Sequence, residues 1–410
     1  MAGGIINRRR LTEFIQNAGA FAVYLAVQQL LLLPFLARRC GEAVFCQAVL
    51  FLTVVNVTGS VLGDDAGNCM LVRGEEYRKK GLDPRADTTA ILLRMGVLAA
   101  AVTVIANMLA AWDWWCVGTG IVCVWLCALR FYVSVQFRRQ QRFDLLLWLG
   151  VVYALGMIPG ALAFRCGGHW TWIFLGAELT SVLWIGAVAR RNGVGGLAFA
   201  PASTEYGRSW AVYLQLAGVS VLLLGAMYLD RFMLYGMLEP AALAVYFAVS
   251  IMSKIIFMLG NPLYSFLLAM FSRIGSDHAG RVIRFGLLAG ILLFAAGGVG
   301  ALGLMIVGMK IFYPQYFSAS VPLFPPLSAA AGAGMTVVVL RSLALRFCPK
   351  WQLLLNTAVY AAVLGGGGWV MTRLWGITGM GWAVAAGQLV QAVGLLWILS
   401  ARQGRGENAV

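Results

Sequence analysis

The sequence predicts an all-α integral membrane protein of about twelve transmembrane helices arranged as two six-helix lobes. Composition comes first. Hydrophobic residues make up 61% of the 410-residue chain and charged residues 11%, with a mean hydropathy of +0.82, whereas soluble domains are roughly 45 to 50% apolar and about 25% charged. The second observation is the length of the apolar runs. Crossing a bilayer takes about 20 apolar residues, and hydropathy delimits such spans near 17–36, 43–62, 89–111, 114–135, 145–164, 170–189, 210–234, 241–270, 285–308, 321–345, 352–374 and 377–400. The third is sided charge. With the N-terminus in the cytoplasm, twenty-one of the 31 Lys and Arg residues fall in inner segments, six in outer loops and four within spans. A miscount by one span would destroy this positive-inside alternation. The net charge of +15 is thus mostly a topology signal, with attraction to anionic inner-leaflet lipids as a by-product and no need for a nucleic-acid partner.

Taken in order, Arg8, Arg9 and Arg10 precede an apolar stretch too long for a signal-peptide core and without a small-residue cleavage site, so the first span is expected to stay. The longest loops, 63–88 and 190–209, lie inside and are too short for a soluble domain. Leu30 to Val55, LLLLPFLARRCGEAVFCQAVLFLTVV, and Met227 to Met252, MYLDRFMLYGMLEPAALAVYFAVSIM, share a plan. Each has an aliphatic helix end with a basic residue, a turn carrying Glu42 or Glu239, and an alanine-rich helix start. This predicts a parallel repeat: lobes of residues 1–200 and 201–410, with spans one, two, seven and eight lining a cleft between them. Pro34, Pro159, Pro262, Pro325 and Pro326 fall in or near spans, and Gly365 to Gly368 run together in span eleven. Hinges are expected at Pro262 and at the glycine run.

Several chemistries are not encoded. No GxxxxGK[ST] occurs, so ATP does not drive the chain directly. Cys123 and Cys127, one helical turn apart, read as packing residues, and the eight cysteines form no paired ligand motif. His169 and His278 map to opposite membrane sides without catalytic partners. No catalytic residue, metal or cofactor is therefore assigned.

Four segments carry a family resemblance. DRFMLYGMLEPAALAVYFAV, from Asp230, resembles the seventh-to-eighth span signature of bacterial polysaccharide flippases of the MOP superfamily. Gly63 to Arg73, GDDAGNCMLVR, is similar to the family's segment after span two, Phe312 to Ala319, FYPQYFSA, to the aromatic lead into span ten, and Trp375 to Ala383, WGITGMGWA, with Asn356 upstream, to the bend between spans eleven and twelve. The departure is at Gly41, which is followed by Glu42 where the family commonly has Pro. The resemblance implies a MATE/MOP-like fold and a transporter, not an enzyme, in the bacterial cytoplasmic (inner) membrane with both termini cytoplasmic. It implies a flippase that turns a polyprenyl-diphosphate-linked oligosaccharide from the inner to the outer leaflet by alternating access, with membrane lipids and the lipid-linked substrate as partners and a polysaccharide polymerase as a candidate protein partner.

The charged residues inside spans are the candidate site. Lys254 lies near the midplane of span eight, where a lysine costs roughly 2.5 to 3.5 kcal/mol on insertion scales, so it faces either a cavity or a buried counter-ion. With Arg130 in span four, and Arg94 and Arg341 near the cytoplasmic ends of theirs, it forms the candidate set for binding the substrate diphosphate; helix-holding ion pairs and headgroup snorkelling are the alternatives. Asp230 and Arg231 are candidates for an outer gate or an interfacial pair. Glu178, in span six, is the candidate for proton coupling, against an intralobe ion pair. A drug or organic-cation exporter of the same superfamily is the alternative function. It sits less well with buried charge that is mainly basic, since cation sites favour acidic and aromatic groups. A membrane enzyme of polysaccharide assembly is the third reading, but the outer loops are short and Asp64-Asp65 is the only aspartate doublet.

Overall fold

The structure, a computed structural model, describes residues 16, 19, 20, 22–24, 26–110, 112–193, 195–271 and 279–407. Arg8, Arg9, Arg10, Arg273 and His278 lie outside the described residues. The described elements are helical. After a π-turn at Ala26–Leu32, the helices are α1 (Leu33–Arg39), α2 (Gly41–Lys79), α3 (Pro84–Ala110), α4 (Trp114–Arg139), α5 (Phe143–Arg165), α6 (Trp172–Asn192), α7 (Tyr206–Tyr235), α8 (Pro240–Phe271), α9 (Ala279–Phe312), α10 (Phe324–Phe347), α11 (Lys350–Ala362) and α12 (Gly368–Glu407). Among the described residues, nine helices are long and apolar enough to cross a membrane. The nine differ from the twelve-span map in three places: 17–36 has undescribed positions, α8 stays outside the count as a shorter apolar helix, Pro240–Ile256, and spans eleven and twelve merge as Trp351–Ala401.

The helix ends differ from the hydropathy map for local reasons. The second span extends nearly five turns beyond 62, to Lys79. Hydropathy ends where charge begins, but the Arg73–Glu76 and Glu75–Lys79 pairs keep that charged stretch helical. Pro325 and Pro326 lie in the first turn of α10, within the span Pro314–Leu345, where a missing N–H breaks no hydrogen bond. Pro34 follows the π-turn at Ala26–Leu32; lacking an N–H, it cannot serve the carbonyl four residues back, and the ladder shifts register there. The glycine run coincides with a second π-turn at Val363–Gly367. The expected bend after span eleven is a break at Gly376, φ 60° and ψ −137°, within α12. α8 continues as helix through Pro262.

The chain divides into two compact units, Met1–Leu33 with Gln47–Gly225, and Pro34–Cys46 with Ala226–Val410. In the first, Gly59, Gly63 and Gly67 put a bare backbone stripe of α2 against α4. A Cβ on Gly63 would lie 2.0 Å from the carbonyl oxygen of Ala128, so only glycine allows this approach. Gly156 and Gly160 of α5 meet α6 in the same manner, at Ala177 and Trp172. In the second unit, Gly332 of α10 lies against the Phe294 carbonyl of α9, and Arg38 donates to the last carbonyls of α9, Ile311 O at 2.7 Å and Phe312 O at 3.0 Å.

Candidate functional site

In the second unit, the hairpin of α7 and α8 builds a charged centre. Lys254 Nζ donates to both carboxylate oxygens of Asp230, at 3.0 and 2.9 Å, and to the Met227 carbonyl at 3.1 Å. Tyr246 Oη donates to Asp230 Oδ2 at 2.8 Å, and the Tyr228 ring lies 5.3 Å from the ammonium. Counting along the helices puts Lys254 deep and Asp230 near the outer end. The antiparallel geometry reconciles them, because side chains tilt toward the N-terminus of their helix. Lys254 therefore leans toward the turn and Asp230 away from it. Arg231, the other residue of the expected gate, is buried with its guanidinium 4.9 Å from the Tyr228 ring centroid.

The pair forms one wall of a cavity with about 40 Å³ open to the centres of water molecules, lined also by Ser250, Ser253, Tyr360 and Gln388. That is room for a few waters, since one needs roughly 10 to 15 Å³ on this measure. Gln388 Nε2 donates to Tyr360 Oη at 3.2 Å, while Ser250 Oγ and Gln388 Oε1 are buried with no hydrogen-bond partner. Buried polar atoms are rarely left in that state, so these two atoms are available to water in the cavity.

The first unit holds a second buried pair. Arg130 on α4 grips Glu178 on α6 bidentately, Nε to Oε2 at 2.8 Å and Nη2 to Oε1 at 2.9 Å. The rings of Tyr24, Phe131 and Tyr153 lie 4.6 to 4.9 Å from the guanidinium carbon. Gln28 donates to Tyr153 Oη at 3.2 Å, and Tyr24 Oη to Asn56 at 2.7 Å. The residues read separately as a substrate cation and a coupling carboxylate are thus one neutral pair. With Lys254 held by Asp230 as well, the mid-membrane charge is balanced and not mainly basic. Arg94 is exposed, its guanidinium 4.7 Å over the Tyr206 ring, and Arg341 is half-buried on α10; neither joins the Lys254–Asp230 or the Arg130–Glu178 pair.

Two polar features escaped sequence reasoning. Arg73 donates to Glu205 Oε2 at 2.5 Å, to the Glu205 carbonyl at 3.0 Å and to Ser209 Oγ at 2.8 Å, and Lys80 also binds Glu205. Asp87 accepts from Tyr77 Oη and from the Ser203 backbone N–H. Gln136 and Thr89 bond the backbone at Gly196 and Ala198. Together these fasten the 195–205 segment to the first unit. Lys80 and Arg73 hold the Glu205 carboxyl down at about 2, below a usual value of about 4.3. A depressed carboxyl stabilises fully above its unfolded pKa, so the tie persists at neutral pH and weakens only as pH falls from about 4.3 toward 2. The signal for Arg73 was its place in the GDDAGNCMLVR motif; Asp87 offered none. The second feature is Asp65, buried on α2. Ser220 donates to its Oδ1 at 3.0 Å while Oδ2 has no partner. Its neighbour Asp64 takes Arg138, at 2.9 Å.

No known protein family and no curated protein matches the sequence. Solved structures do match in three dimensions. The lipid II flippase MurJ in an inward closed conformation superposes with a TM-score of 0.61 at 10% identity, over 95% of this chain and 86% of that one. An inward-facing multidrug resistance MATE family transporter of the MOP superfamily gives 0.61 at 13% identity, over 98% and 97%. The eukaryotic MATE transporter AtDTX14 gives 0.62 at 15% identity, over 97% and 99%. Nearly the whole chain is covered each time, and the fold is the all-helical membrane architecture that MurJ and the MATE transporters share.

Proposed function

We propose that the protein is a flippase that moves a polyprenyl-diphosphate-linked oligosaccharide from the inner to the outer leaflet of a bacterial cytoplasmic membrane by alternating access, for surface polysaccharide biosynthesis. The MOP-type fold and the four ordered motifs support the class. The observation that carries the reading is the Lys254–Asp230 ion pair, buried in the wall of a small, otherwise largely apolar cavity among spanning helices. Sugar hydroxyls and a diphosphate cannot cross hydrocarbon unsatisfied, so their carrier needs polar groups at membrane depth. Lys254 is a point charge on a flexible stem, able to turn from Asp230 to an incoming phosphate without a fixed fork geometry. Asp230 left behind keeps the Tyr246 hydrogen bond. Arg94 and Arg341 serve in this reading as cytoplasmic-side contacts for the headgroup, Arg231 as a gating residue, and a polysaccharide polymerase as a downstream partner. Coupling through Glu178 requires a step in which Arg130 lets go.

Export of organic cations is the second reading. The charge balance of Lys254 and the acceptor atoms Gln388 Oε1 and Asp230 favour it, because an organic cation would take the place of the ammonium.

The test is a pair of charge-neutral variants in cells that make the polymer. Lys254→Ala alone strands Asp230, so low abundance would confuse the result. The double variant Asp230→Asn with Lys254→Met removes both charges and is expected at near-normal abundance in the membrane, with surface polysaccharide lost, while Lys254→Arg keeps substantial export. Full export by the double variant sinks the flippase site. Normal polysaccharide together with lost resistance to cationic drugs selects the exporter.

A further inference from the structure

At the end of the first unit away from Arg138 and Arg139, three side chains from two separate segments converge. Asp113 precedes α4, Cys116 lies in its first turn, and His169 comes from the turn between α5 and α6. One ligand atom from each, an Asp113 carboxylate oxygen, Cys116 Sγ and a His169 ring nitrogen, lie within 4.8 Å of one another. Asp113 Oδ2 and His169 Nε2 are 3.1 Å apart. A tetrahedral zinc with bonds of about 2.0 to 2.3 Å requires ligand atoms roughly 3.3 to 3.7 Å from one another, so closing the site takes shifts of an ångström or so, within side-chain reach.

We propose that Asp113, Cys116 and His169 form a binding site for a divalent transition ion of the zinc class. The surroundings fit that chemistry. Asp113 Oδ1 is committed as the helix cap, accepting the Cys116 backbone N–H at 2.8 Å, and holds the carboxylate so that Oδ2 faces the histidine. His169 Nδ1 lies 2.8 Å from Thr171 Oγ1. In the metal-free protein Nδ1 also accepts the Thr171 backbone N–H at 3.4 Å; with the metal on Nε2 the ring carries its proton on Nδ1, gives up that long bond and donates to the hydroxyl, the kind of outer partner a ligating histidine usually has. Binding displaces the Cys116 thiol proton to solvent, because a coordinating sulfur is a thiolate. Sulfur, imidazole and carboxylate together select zinc-like ions over magnesium or calcium. Cys116 is buried, whereas Asp113 is half exposed, which leaves a water-accessible fourth position. Trp114 and Trp115 stack beside the site, Trp115 packs edge-on to Trp172, and Trp170 contacts His169. Such a tryptophan cluster marks a membrane–water interface, where dissolved metal can reach the ligands. The bound ion ties the start of α4 to the segment leading into α6, independently of what the second unit carries.

The experiment uses the full chain purified in detergent and titrated with cobalt(II), then with zinc. Uptake of one cobalt per chain is expected, with a thiolate-to-cobalt charge-transfer band and tetrahedral visible bands that zinc abolishes, and a rise of a few degrees in the thermal midpoint on adding zinc. Cys116→Ser should remove the charge-transfer band. Asp113→Asn keeps the cap acceptor and should weaken cobalt binding at least tenfold at unchanged metal-free stability, so a folding defect cannot stand in for the result. Cys166→Ser, on the exposed cysteine nearby in sequence, should bind as the parent does. Absence of a thiolate band in the parent protein, or cobalt binding undiminished in both Cys116→Ser and Asp113→Asn, overturns the site.

Discussion

Arg130 and Lys254 each meet a carboxylate far away in sequence, 48 and 24 residues respectively, and the cost of mutating any of the four depends on what is left behind. Glu178→Gln leaves a guanidinium buried among Tyr24, Phe131 and Tyr153. Stranding one member of a buried pair costs about 3 to 5 kcal/mol, so this variant is expected to lose folded protein in the membrane before any question of coupling arises. Asp65 has no cation to strand. Asp65→Asn is expected to stay within about 1 kcal/mol of the parent, since it trades one buried polar group for another beside Ser220. Thermal melts of the two purified variants make the comparison, and equal loss in both would contradict the partner argument. The existence of charge at membrane depth was legible in the sequence, because hydropathy makes Lys254, Arg130 and Glu178 conspicuous. The partnerships were not. They depend on which faces of α4 and α6 meet, and on the opposite tilts of side chains on α7 and α8, and neither is written in span positions.

At the scale of elements, α2 and α4 touch backbone to backbone through Gly59, Gly63 and Gly67. Gly63→Ala must push the helices apart, because the new carbon would sit 2.0 Å from a carbonyl oxygen that cannot rotate away. Gly118→Ala on α4, with nothing within 4 Å, should be neutral or stabilising by up to about 1 kcal/mol from helix propensity alone. Membrane abundance and melting of the two variants separate them, and a Gly63→Ala protein as stable as Gly118→Ala would refute the close approach. Spans were legible as apolar runs, and the bend at Gly376 as a glycine motif. Helix ends were not, since Arg73 to Lys79 is too polar for hydropathy and yet helical. The close approach of α2 to α4 at the glycine stripe was not legible, because it depends on which helix faces that stripe.

At the scale of the whole molecule, the two termini and the 192–206 segment are expected on the cytoplasmic side. Cys166 and Phe199 are both exposed, at opposite ends of α6. An impermeant thiol reagent applied to intact cells should label Cys166 and leave a Phe199→Cys probe untouched, and the reverse pattern would invert the topology. The division into units adds a constraint on biosynthesis. Arg73 and Asp87 are made early, but Ser203, Glu205 and Ser209, which neutralise or bond them, come more than a hundred residues later, and Ser220 on α7 completes Asp65. A ribosome that has delivered six helices has therefore delivered an unfinished first unit. Only when the 203–205 segment and the first half of the seventh helix, through Ser220, emerge do these groups find their partners, so the first half of the chain matures on the arrival of a helix whose far end already belongs to the second.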